Sequence, residues 1–256
     1  MNDGSELRTL VLVGDRFARF AAHDRVTTVG AFLAAARAGG YDGPAGPVLL
    51  RLGQGVDEHD LARVRAAADR LAPGRVLVEP RPAGALPPVR EVHKRVPQNV
   101  VVADVEQVAE DVFRAALRLH NDNELLLDHQ GSRHVQGMIA VEAARQLFLT
   151  VSERFYAVHR PELRYSYLLT LLATRFESPL FPVDATVEAV VLRADLTDPQ
   201  KLEFGYRIDV VQAGRRTSST SLEAVALPEG HSDAREDRLT GRVLAEVLGA
   251  ERDPVG

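Results

Sequence analysis

The chain has 256 residues, 45% of them hydrophobic, and a formal net charge of −5. This length allows one large domain or two small ones around an ordinary apolar core. The acidic balance and the lack of a Lys/Arg cluster argue against a general nucleic-acid binder. Without cysteine, the chain can form neither a disulfide framework nor a thiolate metal site. No signal peptide or membrane-length apolar run is visible, so we expect a cytoplasmic protein that does not bind membranes.

The first 80 residues alternate strand and helix patterns and predict a small α/β domain. The expected order is β-α-β-α-β. The strands are predicted at residues 10–13, 48–52 and 76–78, and the helices at residues 26–37 and 57–71.

Two glycine-containing stretches are interpreted as loops. Gly53-Gln54-Gly55 follows a predicted strand but completes neither nucleotide-binding motif, so we interpret it as a turn. Residues 81–90 are rich in proline and glycine, which disfavour regular structure, and are predicted to be a linker between domains.

Residues 91–228 predict a second domain, built around one long helix. A sheet curled around that helix is expected, because several antiparallel strands follow it. The tail, residues 229–256, contains an amphipathic helix that we expect to dock on the body of the protein or on a partner. In chain order we predict strands at 100–103 and 111–119, a loop at 120–136, the long helix at 137–158, strands at 168–176, 185–194, 201–212 and 217–226, and the tail helix at 233–248.

Two groups of residues resemble the A-factor biosynthesis (AfsA) family. VHKR at residues 92–95, followed by NVVVAD at 99–104, resembles the opening of that family. LDH at 127–129 and HVQGMIAVEAARQ at 134–146 resemble its DH…DHVPGM…EAARQ signature in order and spacing. Two residues depart from the signature, since Arg133 and Gln136 stand where the family usually has Asp and Pro.

The resemblance implies an α+β chain in which one hotdog domain, at 91–228, follows the small α/β domain at 1–80. In a hotdog, a curved antiparallel sheet wraps a long central helix. RFESPLFPVD at 175–184 is also similar to the strand after the central helix in hydroxyacyl-carrier-protein dehydratases. Those enzymes place a histidine before the helix and a carboxylate on it, and here His129 precedes Glu142.

The AfsA resemblance also implies an activity in bacterial specialised metabolism. It is the transfer of a β-ketoacyl group, as in γ-butyrolactone biosynthesis, from an acyl-carrier-protein or CoA thioester to the hydroxyl of a dihydroxyacetone-phosphate-like acceptor. The acyl-phosphopantetheine thioester is then a substrate, and no cofactor is expected. No metal is expected either, since the histidines lack an HExxH pattern or a third ligand. We expect a homodimer with sites at its interface, because a single hotdog leaves an open sheet edge.

The start of the long helix is the expected oxyanion site. A thioester carbonyl under attack develops negative charge that must be stabilised away from bulk water. The first amides of a helix are unpaired and carry partial positive charge, and a glycine lets a carbonyl approach the backbone closely. We therefore expect the amides of Gly137 and Met138 to bind the substrate oxygen.

Proton transfer is assigned to Glu142 with His129 or His134. Arg145 is expected to orient Glu142 or the substrate, and Asp128 either orients His129 or caps a turn. Burial raises the pKa of a carboxyl and a nearby cation lowers it, so a nearby Arg145 or histidine decides whether Glu142 is a base or an acid. The alternative is structural: Glu142 and Arg145 form an ordinary pair three residues apart, and the histidines cap the helix or bind backbone.

His93, Lys94 and Arg95 either hold an anionic substrate group, such as a phosphate or a pantetheine arm, or form a solvated basic turn. Two other functions stay open. The site could act as a dehydratase or isomerase of acyl thioesters, because hotdog relatives use the same His and Glu. The protein could also be a non-catalytic acyl- or lactone-binding protein whose α/β domain docks a partner.

Overall fold

The computed structural model describes residues 7–43, 46–80, 84–127, 133–157 and 163–250. The N-terminal part is a parallel sheet of four strands in the order β2-β1-β3-β4. Its elements are β1 (Arg8–Val13), β2 (Val26–Thr28), α1 (Val29–Arg37), β3 (Val48–Leu52), α2 (Glu58–Ala68) and β4 (Val76–Val78).

Side-chain caps fix where the two helices of this part begin. Thr28 accepts a hydrogen bond from the Ala31 amide at 3.1 Å, and Asp57 accepts one from the Asp60 amide at 2.7 Å. The helix predicted at 26–37 is therefore wrong in its first three residues. Those residues form β2 instead, because they pair with β1, and the helix begins only after the Thr28 cap.

The second part is a six-stranded antiparallel sheet in the order β5-β6-β8-β9-β10-β7. The central helix, α4, contacts all six strands. The elements are β5 (Val102–Ala109), β6 (Val112–Leu117), α3 (Glu124–Leu127), α4 (Gly137–Val151), β7 (Tyr165–Phe176), β8 (Thr186–Asp195), β9 (Leu202–Gln212), β10 (Arg215–Pro228) and α5 (Glu229–Ala250).

One face of this sheet packs against α4, because alternate residues of its strands point towards the helix. In β9, Phe204, Tyr206 and Ile208 are buried and pack in one core with Ile139 and Leu147 of α4. The predicted fold class is confirmed: a hotdog with a long central helix follows a small α/β unit.

Several predicted bounds shift. The strand predicted at 100–103 begins two residues later and continues to Ala109. The helix predicted at 137–158 does begin at Gly137, but it is α-helical only to Val151 and continues as a π-helical turn, Ser152–Tyr156, while Val158 lies outside the described residues. The predicted loop at 120–136 contains the short helix α3.

The turn at Gly53-Gln54-Gly55 joins the two parts. The amides of Gly53, Gln54 and Gly55 donate to the carbonyls of Leu12, Pro182 and Leu119. The Gln54 side chain is buried, donating to the Leu117 carbonyl at 3.0 Å and accepting from the Leu119 amide at 2.7 Å. These amides are therefore used within the fold, which agrees with a turn and leaves none for a phosphate.

Helix α5 lies against β7 and β10 through few residues and is exposed along most of its length. Its apolar stripe is 48–57% exposed. The stripe consists of Leu239, Val243, Leu244, Val247 and Leu248. Within the described parts of the chain, no helix is long and apolar enough to cross a membrane.

Candidate active site

The start of α4 presents unpaired amide groups. Gln136 is the N-cap residue in an extended conformation, but its side chain makes no capping hydrogen bond. Among the described residues, no group accepts a hydrogen bond from the amide of Gly137 or Met138. The first turn therefore keeps the donors and the partial positive charge that an oxyanion site needs.

A cleft of about 430 Å³ opens beside this first turn, and we call it the α4 cleft. Its walls are residues 134–137 and Ala140 on the helix side, and residues 176–180, Thr217 and Ser218 on the sheet side. The volume lies within the range of small-molecule sites, roughly 300–1,000 Å³.

Phe176 forms the wall closest to the helix start. A Cβ atom added to Gly137 would lie 2.9 Å from two carbons of the Phe176 ring. Glycine at position 137 thus allows the ring to rest against the helix and keeps the backbone accessible from the cleft.

Glu142 lies on the second turn of α4, where three side chains bind it. Arg145 donates to both carboxylate oxygens through its Nε and Nη2 atoms, each at 2.8 Å. The Lys94 ammonium and the Gln146 side-chain amide each donate to Oε1, also at 2.8 Å. The Glu142 side chain is only 12% exposed, so this is a nearly buried ion cluster with one anion and two cations.

The pKa of Glu142 reflects two opposing effects. Burial by itself raises the pKa, but the hydrogen bonds and charge of Arg145, then the bonds from Lys94 and Gln146, outweigh burial and lower it to about 2. At neutral pH the carboxylate is therefore ionised and is a weak proton acceptor.

Glu142 and the α4 cleft are on different sides of the helix. Two residues along an α-helix correspond to a rotation of about 200°. Ala140 lines the cleft, so Glu142 points nearly the opposite way and is not part of the cleft wall. Within one chain, the ion cluster and the helix start form two separate polar regions.

Residues 79–228, more than half of the chain, match the A-factor biosynthesis hotdog domain. The chain belongs to the AfsA hotdog family. No curated protein matches the chain.

Solved structures are similar to part of this chain at low identity. They include a dehydratase heterocomplex, ApeI:P from Xenorhabdus doucetiae (16% identity, TM-score 0.43, covering 56% of this chain and 93% of that one). AziG from S. sahachiroi has 15% identity and a TM-score of 0.36 over 56% of this chain and 98% of its own. A mutant thioesterase from Pseudomonas aeruginosa has 12% identity and a TM-score of 0.38 over 50% of this chain and 81% of its own.

The two AfsA motifs are joined by hydrogen bonds in the structure. From EAARQ, Arg145 donates to the Val92 carbonyl at 3.1 Å, and Gln146 donates to the Asn99 carbonyl at 2.8 Å. Gln146 Oε1 also accepts from the Val101 amide at 2.8 Å. The helix motif therefore holds the VHKR segment and the residues after it against α4.

Two other members of the VHKR motif are at the surface. His93 and Arg95 are exposed, and the His93 ring lies 6.0 Å from the Tyr167 ring in an edge-on arrangement. His93 has a φ angle of 52°, in the left-handed region. Lys94 alone of the three turns to the helix, where it binds Glu142.

Six of the predicted site residues fall into two groups. His134, Gly137 and Met138 are at the α4 start, where His134 and Gly137 line the cleft. Glu142, Arg145 and Lys94 form the ion cluster. Asp128 and His129 lie outside the described residues. No group of three or more His, Asp or Glu side chains in the described ranges is arranged to hold a metal.

Three residues of these regions were not found from the sequence. Gln146 is fully buried and links Glu142 to Asn99 and Val101, which follow the VHKR segment. A buried amide inside an apolar helix run is a signal that could have found it. Phe176 and Ser218 line the cleft from neighbouring strands. Neither carries a local sequence signal, because their proximity to Gly137 depends on the sheet curvature.

Proposed function

We propose that this protein binds an acyl thioester in the α4 cleft and transfers its acyl group to a hydroxyl acceptor. The observation that carries the proposal is the pair of amides, Gly137 and Met138, that have no partner among the described residues and begin the helix beside the cleft. Such donors stabilise the tetrahedral oxyanion formed when a hydroxyl attacks a carbonyl. Membership of the AfsA family supports an acyl-thioester substrate, and the β-ketoacyl group is the one the family resemblance implies.

The transfer needs a group that accepts the acceptor's proton and later gives it to the departing thiolate. Within the described residues we assign this to His134, which lines the cleft and carries an imidazole, the side chain that most often transfers protons in enzymes. The hydroxyl oxygen bonds to the carbonyl carbon, the tetrahedral intermediate expels the sulfur, and the products are an ester and a free thiol. A role of Glu142 as the base requires that substrate binding break its ion pairs.

A dehydratase or isomerase of acyl thioesters is the second candidate. It is favoured by the cleft wall at residues 176–180, which belongs to the segment similar to hydroxyacyl-carrier-protein dehydratases. A non-catalytic acyl- or lactone-binding protein is the third, and it is favoured by the ion pairs that engage the Glu142 carboxylate.

One experiment separates the three candidates. The full chain is incubated with β-ketoacyl and 3-hydroxyacyl thioesters of pantetheine, with and without dihydroxyacetone phosphate, and the products are identified by mass. An ester that forms only with the acceptor supports transfer, whereas loss of water from the 3-hydroxyacyl thioester supports dehydration. Binding of either thioester without any product would reject both enzymes in favour of the binder.

A homodimer is proposed as the assembly. Strand β7 is at the end of the sheet order and pairs with β10 on one side, and no other strand of the described residues pairs with its second edge. This strand is long, and Leu169, Leu171, Leu172 and Phe176 on it are 39–55% exposed. An open edge of this length favours pairing with the same strand of a second copy.

A further inference from the structure

Ser218 has a buried hydroxyl group that the fold does not use. The residue is 1% exposed, and its Oγ has no hydrogen-bond partner among the described residues. Burying a hydroxyl without a partner is unfavourable, and most buried polar atoms in proteins are satisfied. The Ser218 hydroxyl is therefore available to bond with a ligand or a water molecule.

The sheet places this hydroxyl on the wall of the α4 cleft. Ser218 on β10 is paired with Phe176 on β7, and directly opposed residues of an antiparallel pair share one face of the sheet with Cβ atoms about 4.5–5.5 Å apart. The Phe176 ring in turn rests against Gly137. Ser218 is therefore across the cleft from the unpaired amides of the helix start.

Two neighbouring polar side chains on the same wall, those of Thr217 and Glu177, are already engaged. The Thr217 hydroxyl donates to the Val210 carbonyl at 3.1 Å. The Glu177 carboxylate accepts from Arg216 at 2.8 Å. Ser218 thus differs from these neighbours, because its hydroxyl retains both its donor and its acceptor capacity.

We propose that Ser218 determines specificity by binding a second oxygen of the acyl group, close to the thioester carbonyl held at Gly137 and Met138. This inference rests on the proposed function. A hydroxyl donates to a keto oxygen and can also accept from a hydroxyl group, so the ligands it fits are 3-oxoacyl and 3-hydroxyacyl thioesters. A saturated acyl chain leaves the hydroxyl unpaired, and a site built to hydrogen-bond a polar group discriminates against ligands that lack it.

The test measures binding to the full chain by isothermal titration calorimetry. The probes are pantetheine amides, in which nitrogen replaces the thioester sulfur, carrying 3-oxo, 3-hydroxy or saturated chains of equal length. We expect the wild-type protein to bind at least one oxygenated probe about tenfold more tightly than the saturated probe. Ser218→Ala should lose this preference and bind the saturated probe as the wild type does. Ser219→Ala, on the opposite face of the same strand, should behave as the wild type.

A second variant and a stability measurement show whether a change in binding arises from the lost hydrogen bond or from altered folding. Ser218→Cys keeps nearly the same volume but bonds weakly, so it should also lose the preference. Ser218→Ala should unfold at the same or a higher temperature, because it removes an unpaired buried hydroxyl.

The binding results distinguish failure of the role of Ser218 from failure of the proposed acyl-thioester site. If the wild type binds the probes and Ser218→Ala keeps the preference for an oxygenated chain, the role of Ser218 is rejected and the acyl-thioester site stands. If the wild type binds oxygenated and saturated probes equally, the role of Ser218 is likewise rejected. If the wild type binds none of the probes, the proposed function fails and the inference fails with it.

Discussion

Two regions of helix α4 use polar groups in opposite ways. At its start, the amides of Gly137 and Met138 have no partner among the described residues and adjoin a cleft. One turn later, Glu142 is bound by Arg145, Lys94 and Gln146, all at 2.8 Å. Gly137 and Glu142 belong to one sequence motif, yet the amides at the helix start remain available to a ligand, whereas the Glu142 carboxylate is bound by side chains of the protein.

From this difference we infer that one part of the helix recognises a ligand and the other part stabilises the fold. A polar group whose hydrogen bonds are completed by the fold stabilises the fold and specifies which segments meet. A donor left open next to a cleft can complete its bonds only with a ligand or water. We therefore interpret the helix start as the site that contacts the substrate. The ion cluster is interpreted as a set of structural contacts that holds the VHKR segment against α4.

The largest expected effect comes from Glu142→Ala. Removing the carboxylate leaves Lys94 and Arg145, each about one-quarter exposed, without their anion. Breaking such a buried pair costs about 3–4 kcal/mol of the free energy of unfolding. Urea denaturation followed by circular dichroism measures this loss.

The control for that variant is Glu188→Ala. Glu188 pairs with Arg114 at 3.5 Å, but both side chains are more than 40% exposed. A surface pair contributes about 0–1 kcal/mol, so this variant should unfold almost as the wild type does. If Glu142→Ala and Glu188→Ala were equally stable and only Glu142→Ala lost turnover, Glu142 would be a catalytic residue. The ion cluster would then not be a purely structural region.

The ion cluster also predicts a dependence of stability on pH. The pKa of Glu142 is lowered from 4.5 to about 2 in the folded protein, so the folded state binds a proton more weakly than the unfolded state. Above pH 4.5 the contribution is fully present, and it is lost as the pH falls from 4.5 towards 2. The difference in pKa corresponds to about 3 kcal/mol.

Glu142→Gln provides the comparison for this pH effect. The variant cannot ionise at position 142, so its stability should change less than that of the wild type across this acidic range. Parallel curves for the two proteins, measured by thermal unfolding at each pH, would show that Glu142 is not the source of the acid sensitivity.

The sequence predicted the fold well where local patterns suffice. Strands β3 and β4 have the predicted bounds, because each is a short apolar run between turn residues. The start of α4 at Gly137 was also predicted correctly. Strand β2 was missed, because three residues carry too little pattern and their conformation depends on pairing with β1.

The candidate site was predictable only in part, because some of its contacts join residues that are distant in the sequence. The amides of the helix start follow from any helix that begins at Gly137. The contact of Lys94 with Glu142 joins residues that are far apart in the chain, and no spacing rule reveals it. The orphaned hydroxyl of Ser218 occurs in a run of Ser and Thr that gives no reason to select one member.

A homodimer through β7 would bring a second helix start and a second ion cluster into one assembly. We expect sedimentation velocity to show a dimer at micromolar concentration. Leu171→Lys places a charge on the exposed edge strand and should weaken the dimer about tenfold or more. Glu188→Ala, on strand β8, is separated from β7 in the sheet by β9 and β10 and should not change the association. A wild-type protein that sediments only as a monomer would contradict the dimer.

The smallest structural change tests the helix start directly. Gly137→Ala adds one methyl group 2.9 Å from the ring of Phe176, which is 55% exposed and can move outward. The fold should therefore lose little stability, but the methyl group and the displaced ring obstruct the amides, so thioester turnover should fall about tenfold or more. The double variant Gly137→Ala/Phe176→Ala removes the collision and should recover part of the rate. If Gly137→Ala keeps full turnover while Glu142→Gln abolishes it at unchanged stability, the chemistry belongs to the ion cluster and the roles of the two regions of α4 are reversed.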